Sequence, residues 1–163
     1  MDGETTVTDT VITTRRMRLL PMSEAEQRAL IVRETDEELK AAYGEMLAGC
    51  LEHPGDFLWY APWKMCPAEQ SDTVMGDLCF KGPPEKGEVE IGYGISEEYS
   101  GRGYATEAVA ALTAWALCQP GVSAVTAETA PDNAASQRVL KKAGFLPTGE
   151  MGEEGPRFCL KKK

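Results

Sequence analysis

Ser100-Gly101-Arg102-Gly103-Tyr104-Ala105-Thr106-Glu107-Ala108 places a glycine-rich turn directly between a strand-like segment and a helix-like one. Before it, Glu88-Val89-Glu90-Ile91-Gly92-Tyr93-Gly94-Ile95 alternates strictly, with Val89, Ile91, Tyr93 and Ile95 on one face. After it, Ala105, Ala108, Val109, Leu112, Trp115 and Ala116 recur at helical spacing. A strand that turns on glycines into a helix N-terminus is an anion trap. Glycine lets the backbone approach closely, and the first helical N–H groups have no partner inside the helix. The pattern predicts a phosphate-bearing ligand.

With 163 residues, 42% of them hydrophobic, the chain can bury one substantial core and is too short for two ordinary domains. Its five cysteines (Cys50, Cys66, Cys79, Cys118, Cys159) are scattered and never form a CxxC pair, and His53 is the lone histidine. That usage predicts neither a disulfide framework nor a metal site, and it fits a reducing compartment. No apolar run approaches the ~18 residues of a membrane span, so the expectation is a soluble, cytoplasmic protein with no membrane partner. A net charge of −9 argues against nucleic acid, whose binding depends on clustered Lys and Arg. An acidic protein must hold a phosphate by local means: backbone N–H groups, the helix dipole and a nearby arginine. The same charge favours approach of a cationic partner such as an amine, although it also serves simply to keep a protein in solution.

Along the chain, residues 1–10 read as a flexible tail and residues 11–163 as one domain. A first strand is expected over residues 11–20, closed by Pro21. Two helices follow, each opened by a capping box, Ser23 with Glu26 and Thr35 with Glu38, and ended by Gly49 and His53-Pro54-Gly55. Residues 57–65 and 73–80 read as strands, the second joined to 88–95 as an antiparallel pair through Pro83-Pro84-Glu85-Lys86-Gly87. The helix after the glycines runs to about Gln119, before Pro120-Gly121. Residues 123–129 form a short strand. Asp132 or Asn133 caps a further helix whose Ala135, Val139, Leu140 and Ala143 face the core, with Gly144 as its left-handed C-terminal cap. Residues 157–161 read as the last strand. Trp59, Trp63 and Trp115, with Phe57 and Tyr60, read as core, with an acceptor pocket as their alternative use. His53 reads as a turn residue and Lys161-Lys162-Lys163 as a solvated end.

A dinucleotide site would need a third glycine where Thr106 stands, and an acidic residue closing the next strand about 20 residues on. Glu128, 25 residues past Gly103, falls inside an alternating strand instead. The segment resembles the acyl-CoA-binding motif of the GNAT superfamily of N-acetyltransferases, Q/R-x-x-G-x-G/A, here Ser100-Gly101-Arg102-Gly103-Tyr104-Ala105 extended by Thr106-Glu107-Ala108. Thr14-x-Arg16-x-Arg18-Leu19 is similar to the opening strand of the branch that contains the ribosomal-protein N-terminal (alanine/serine) acetyltransferases. Glu90-Ile91-Gly92-Tyr93 is similar to its central strand, and Asn133-x-x-Ser136-x-x-Val139-Leu140-x-Lys142-x-Gly144-Phe145 to its later helix. The matching pieces run in the family's order from about residue 13 to 160.

The resemblance implies an α/β (α+β) GNAT fold: a mixed, mostly antiparallel central sheet with splayed central strands, flanked by helices. Acetyl-CoA would wedge between those strands, its pyrophosphate on the backbone of Gly101, Arg102, Gly103, Tyr104 and Ala105, with Thr106 closing the turn. The Arg102 side chain would add a charge-assisted phosphate contact or lie in solvent. Ser100 stands where the family often carries Gln or Arg. Backbone near Tyr93, Gly94 and Ile95 would stabilise the charge that grows on the thioester carbonyl. Asn133 would contact the pantetheine arm, cap its helix, or both.

Glu88, Glu90, Gly92 and Gly94 share the strand face opposite the apolar stripe, the two carboxylates roughly 6–7 Å apart. An amine that is protonated near neutral pH must lose a proton before it attacks a thioester. Glu90 is the first candidate base and Glu88 the second, each with a solvated strand residue as its alternative. Many superfamily members use a tyrosine to protonate the departing thiolate; Leu140 stands at that position here. In the ribosomal-protein branch a serine matching Ser136 has that role. The expected reaction is direct transfer from acetyl-CoA to a primary amine, either a protein N-terminus or a small molecule, since no cysteine has a nucleophile's context. The rival expectation is a weakly active or inactive acyl-CoA-binding module, suggested by Leu140 and Ser100. The resemblance also implies a homodimer as one assembly, with no pattern marking its interface.

Overall fold

A computed structural model describes residues 10–69 and 73–163, so the tail expected at residues 1–10 lies outside the described residues except for Thr10. In chain order the elements are β1 (Ile12–Thr13), β2 (Met17–Pro21), α1 (Glu24–Arg33), α2 (Glu37–Glu52), α3 (Phe57–Tyr60), β3 (Trp63–Pro67), β4 (Gly76–Phe80), β5 (Glu88–Ile95), α4 (Tyr104–Leu117), β6 (Ala124–Glu128), α5 (Ala134–Lys142), β7 (Leu146–Met151) and β8 (Pro156–Lys161). The strands form one sheet in the order β1-β2-β3-β4-β5-β6-β8-β7. Every pairing is antiparallel except β5 with β6, which is parallel because α4 carries the chain back across the sheet. This is the mixed, mostly antiparallel sheet flanked by helices that the resemblance implies.

The sheet is splayed at its centre. The β5–β6 register runs from Glu88↔Ala124 to Ile91↔Ala127 and stops there, while β4 accompanies β5 to its end at Gly76↔Ile95. From Gly92 onward β5 therefore has a neighbour on one side only. Below the splay the strand's period-two alternation buries Val89 and Ile91, and α4 lays Ala108, Val109, Leu112 and Ala116 over the same core with Leu140 and Phe145. Each of the larger of these side chains (Val, Ile, Leu and Phe) contributes about 1.5–3 kcal/mol on burial. Of the aromatics expected in the core, Trp63 is buried there and Trp59 and Trp115 pack half-buried against it, whereas Phe57 and Tyr60 are half-buried outside that cluster. Trp63 is fully buried and its Nε1 donates to the Leu58 carbonyl at 3.0 Å, while Trp115 lies 5.3 Å from both Trp59 and Trp63.

Several local expectations are corrected. The strand expected over residues 11–20 is broken into a hairpin. The Thr14 amide donates to the Met17 carbonyl (2.8 Å) and the Met17 amide to Thr14 Oγ1 (2.9 Å), reversing the chain between β1 and β2. The Ser23–Glu26 capping box forms as read, but α2 is capped by Asp36 rather than Thr35. The Asp36 carboxylate accepts from two first-turn amides, Glu38 and Leu39, and its charge suits the positive helix end. Residues 57–60 are helical because the turn at His53–Asp56 already feeds them in helical sense, and the apolar run Phe57-Leu58-Trp59-Tyr60 suits a half-buried helical turn as well as a strand. Ala135 is exposed, not core-facing. β7, exposed throughout and bulged between Pro147 and Met151, carries too little alternation to be read as a strand.

Gly49 does not end its helix: it lies inside α2 and faces Tyr60. A Cβ there would stand 2.2 Å from the Tyr60 ring, whereas one at Gly44, also inside α2, would meet nothing within 4 Å. Helix propensity alone makes both Gly→Ala changes stabilising by about 0.5–1 kcal/mol. Packing splits them. Gly44→Ala should stabilise by about that amount, and Gly49→Ala should destabilise by about 1–3 kcal/mol through overpacking. Urea melting of both variants measures the signs, and a stabilised Gly49→Ala would contradict the α2–α3 packing.

Candidate active site

The glycine turn builds a cradle. Gly101 (φ 75°) and Gly103 (φ 83°) both adopt the left-handed conformation, which points successive backbone N–H groups outward before α4 begins at Tyr104. No side chain caps α4, so its first-turn amides and positive dipole end face outward. A cavity of about 300 Å³ opens in front of them, lined by Ser100, Gly101, Gly103, Tyr104, Ala105 and Thr106. Its far wall is α5, which contributes Ala135, Arg138, Val139 and Lys142. The exposed Ala135 is thus a wall of the site, and Arg138 and Lys142 bring cationic groups that the sequence reading missed. Their i, i+4 spacing on the face of Ala135 and Val139 was the available signal. Arg102 is exposed, and its carbonyl accepts from Arg16 Nη1 at 3.0 Å. Ser100 Oγ donates back to the Glu97 carbonyl at 2.7 Å.

A clamp that periodicity does not reveal fixes this turn to the sheet edge. Glu107 Oε2 accepts from Thr14 Oγ1 (2.5 Å) and the Arg16 amide (2.9 Å), and Glu107 Oε1 accepts from Arg16 Nε (2.7 Å). The Arg16 guanidinium also lies 4.1 Å above the Tyr104 ring. Burial alone would raise the Glu107 carboxyl, but the hydrogen bonds from Thr14 and Arg16 outweigh it and hold it below its ordinary value of 4.5.

The splay after Ile91 makes a second cavity of about 260 Å³, which like the first is walled by α5. It lies among Ile91, Gly92 and Tyr93 of β5, Glu128 to Ala130 after β6, and Asn133 and Ser136 of α5. Asn133 Oδ1 caps α5 by accepting from the Ser136 amide at 3.0 Å. The Tyr93 phenol and Ser136 Oγ share a hydrogen bond of 2.6 Å, with either as donor. Burial raises the Tyr93 phenol, an effect the Ser136 hydrogen bond only partly offsets. Thr129 Oγ1 is buried here without a partner, and β5 from Gly92 on has no strand beside it on the β6 side. A polar arm rich in amides fits such a wedge, and the uncapped α4 terminus fits a phosphate, so the residues present suit coenzyme A. Leu140 is fully buried core and takes no part in the cavity wall.

Glu88 and Glu90 lie on the opposite face of β5. Glu90 is held in an ion-pair network: Lys81 Nζ is 3.1 Å from its Oε2 and Arg157 Nη1 is 3.9 Å from its Oε1. Lys81 also meets Glu154 at 3.2 Å, and Arg157 pairs with Glu128. Burial alone would lower the Lys81 ammonium; Glu90 and Glu154 outweigh it and keep it charged. Glu90 stands two residues below Gly92, roughly 6–7 Å along the strand. Glu88 is exposed and twice as far, about 13 Å, beside the turn that its amide closes onto the Glu85 carbonyl. The structure thus gathers Tyr93, Asn133 and Ser136 in the wedge, Gly101 to Thr106 in the cradle and Glu90 behind the strand, and leaves Glu88 apart.

The clamp gives a pH test. A carboxyl whose folded value lies below its ordinary one stabilises fully above the ordinary value, and that stabilisation is lost as pH falls through the folded value. Glu107→Gln should therefore lower stability at about pH 7, and the gap from wild type should close on acidification below about pH 4.5. Urea melts at stepped pH measure it. A gap that stays constant down to about pH 3 would mean that Glu107 acts by shape and not by charge.

The family model described as "Acetyltransferase (GNAT) domain" matches residues 14–146. An uncharacterised N-acetyltransferase of Bacillus subtilis (strain 168), YjdG, is 34% identical over 84 residues, which cover 52% of this chain and 50% of that protein. The matched stretches cover about half the length of each of the curated relatives found. Among solved structures, an acetyltransferase from Salmonella typhimurium described as modifying the N-terminal serine of ribosomal protein L7/L12 superposes with TM-score 0.71 at 17% identity, covering 94% of this chain and 100% of that one. The ribosomal L7/L12 α-N-protein acetyltransferase RimL solved with coenzyme A has TM-score 0.71 at 15% identity, covering 93% and 98%. Structural likeness at this identity speaks for the fold. The family match over most of the chain, joined to the splayed sheet and its cradle, shows that this chain belongs to the GNAT acetyltransferase family.

Proposed function

We propose that this chain transfers the acetyl group of acetyl-CoA directly to a primary amine, either a peptide N-terminus or a small molecule. The observation that carries the reading is the splay after Ile91, which lies between a phosphate cradle on one side and a carboxylate-bearing strand face on the other. The curated N-acetyltransferase relatives and the amine-acetylating neighbours agree with it. Acetyl-CoA supplies the acetyl group as a thioester, a good acyl donor.

Gly101, Gly103, Tyr104, Ala105 and Thr106 hold the pyrophosphate through backbone amides at the α4 terminus, with Arg138 and Lys142 offering charge across the cavity. Asn133 and the orphaned Thr129 hydroxyl meet the pantetheine arm. The backbone of Gly92 to Ile95, free of β6, receives the thioester carbonyl and stabilises its growing negative charge. As the amine nitrogen bonds to the carbonyl carbon, Glu90 accepts the nitrogen's proton, directly or through a water. As the C–S bond breaks, Ser136 supplies a hydrogen bond or proton to the sulfur, and the Tyr93 phenol behind it replenishes the hydroxyl. This pair takes over the place of the tyrosine that Leu140 replaces. Cys79, the cysteine nearest the strand face, is a poor nucleophile because burial and the neighbouring Asp77 charge push its thiol up to about 11. That favours direct transfer over an acetyl-cysteine intermediate.

Release of free thiol from acetyl-CoA, with and without primary amines and short peptides, tests the reading. Amine-dependent release is expected, and none across a broad panel despite coenzyme A binding would overturn it. Glu90→Gln should lower kcat by about 10²–10⁴-fold with little change in KM for acetyl-CoA. Ser136→Ala should slow the chemical step in single-turnover measurements, and an unchanged rate would remove Ser136 from the mechanism.

A further inference from the structure

A third cavity, of about 260 Å³, lies beneath α2 on the sheet face opposite the cradle. Its floor is Gly92 and Gly94, where β5 presents bare backbone, and its walls are mostly apolar: Leu39, Ala42 and Met46 from α2. Gly92 and Tyr93 line both this cavity and the wedge that holds Ser136, so one strand edge separates the two spaces. A nucleophile resting here approaches the wedge across the two positions where β5 has no side chain to obstruct it.

The cavity holds one carboxylate. Asp77 on β4 lies in register with Gly94, and its Oδ1 is 3.9 Å from where a Cβ on Gly94 would stand. Its Oδ2 accepts from the Tyr43 hydroxyl at 2.6 Å, which fixes the carboxylate while leaving Oδ1 turned to the glycine floor. No Lys or Arg pairs with Asp77 among the described residues, whereas Glu90, Glu107 and Glu128 all have cationic partners. Burial raises the Asp77 carboxyl, the Tyr43 hydrogen bond pulls it back, and Glu34 adds to the rise. A half-buried carboxylate without a protein cation is an unmet electrostatic demand that a cationic ligand satisfies.

We propose that this cavity is the acceptor site and selects a primary amine borne on an apolar body, with the ammonium on Asp77 and the body against Leu39, Ala42 and Met46. Tyr43 acts as a positioning residue for Asp77. The proposal rests on the acetyl-transfer reading for its purpose and extends it from "a primary amine" to a chemical class. One carboxylate within apolar walls disfavours a polyamine, whose further charges would be desolvated unpaired. An arylalkylamine and a peptide N-terminus that begins with an apolar residue share the recognised chemistry.

Binding, measured apart from turnover, tests it. The full chain saturated with coenzyme A is titrated in a calorimeter with 2-phenylethylamine, the amide of a Phe-Ala dipeptide, 2-phenylethanol and spermidine. One or both of the first two should bind, and which binds tighter identifies the source. The alcohol and spermidine should bind at least about tenfold more weakly. Asp77→Asn, which keeps the shape and the Tyr43 contact, should weaken amine binding at least about thirtyfold while melting as wild type does. Leu39→Lys, at a half-exposed mouth position, should also weaken it by charge and lost apolar surface. Equal affinity of Asp77→Asn and wild type for the amine, or spermidine as the best ligand, overturns the proposal. Asp77-dependent amine binding with no thiol release overturns the acetyl-transfer reading and leaves this site standing. Thiol release that is indifferent to Asp77 does the reverse.

Discussion

The end of the parallel ladder at Ile91 is the constraint on which the rest of this structure depends. A parallel neighbour can be reached only through a crossover helix, so placing β6 beside β5 obliges α4 to begin at the top of β5. The chain makes that reversal through a helical turn at Glu97–Tyr99 and then the glycine turn, which leaves the helix N-terminus uncapped at the mouth of the opening. Were β6 to follow β5 to Ile95, the peptide groups of Gly92 to Ile95 would be satisfied internally and no amide-bearing ligand would be needed there. Because it does not, the β6-facing peptide groups of β5 beyond Ile91 are not paired with β6 and are open to water or a ligand. Cradle and wedge are two consequences of one interrupted pairing.

Electrostatics fits the same frame. A chain of net charge −9 that receives an anion must confine positive potential to a small region, and it does so with backbone dipoles and a few side chains. Arg16 is spent on structure: its guanidinium holds Glu107 and the Arg102 carbonyl and so ties the β1–β2 hairpin to the glycine turn. Arg138 and Lys142 stand across the cavity, free to meet a phosphate. On the other sheet face the acidic groups are mostly neutralised in pairs, Lys81 and Arg157 among Glu90, Glu128 and Glu154. Asp77 is a half-buried acid with no cationic partner among the described residues.

How much of this is legible in the sequence depends on the range of the interaction. The alternation of residues 88–95 and the helical spacing from 105 to 116 are local periodicities, and both elements form where they predict. The Ser23–Glu26 box and the Asn133 cap are also local and also form. What escapes is decided by contacts distant in sequence. Gly49 reads as a helix stop, yet its role is to admit the Tyr60 ring. Residues 57–60 are helical because that places Trp59 against Phe80 and Trp115. The Thr14–Arg16–Glu107 clamp spans more than ninety positions and has no periodic trace. Asp77 was invisible for the same reason: only the register with Gly94 and the arrival of α2 give its carboxylate a meaning.

The two faces of β5 are what would let one eight-residue strand serve the proposed donor and acceptor at once. Side chains of a strand alternate, so Ile91 and Tyr93 belong to the α4–α5 side and Glu90, Gly92 and Gly94 to the α2 side. Tyr93 reaches Ser136 on the first side, where the donor's sulfur is proposed to lie, and the glycines keep the second side open for the acceptor. A reacting carbonyl held by the backbone between them is within reach of both faces without crossing a side chain. A side chain at Gly92 or Gly94 would fill the acceptor lane, while loss of the Tyr93 hydroxyl would strand Ser136 on the donor side. The departure at Leu140 then has a physical reading. If the Tyr93–Ser136 hydroxyl pair of β5 and the first turn of α5 has the role proposed for it, the later position on α5 is released to the core, where Leu140 is fully buried.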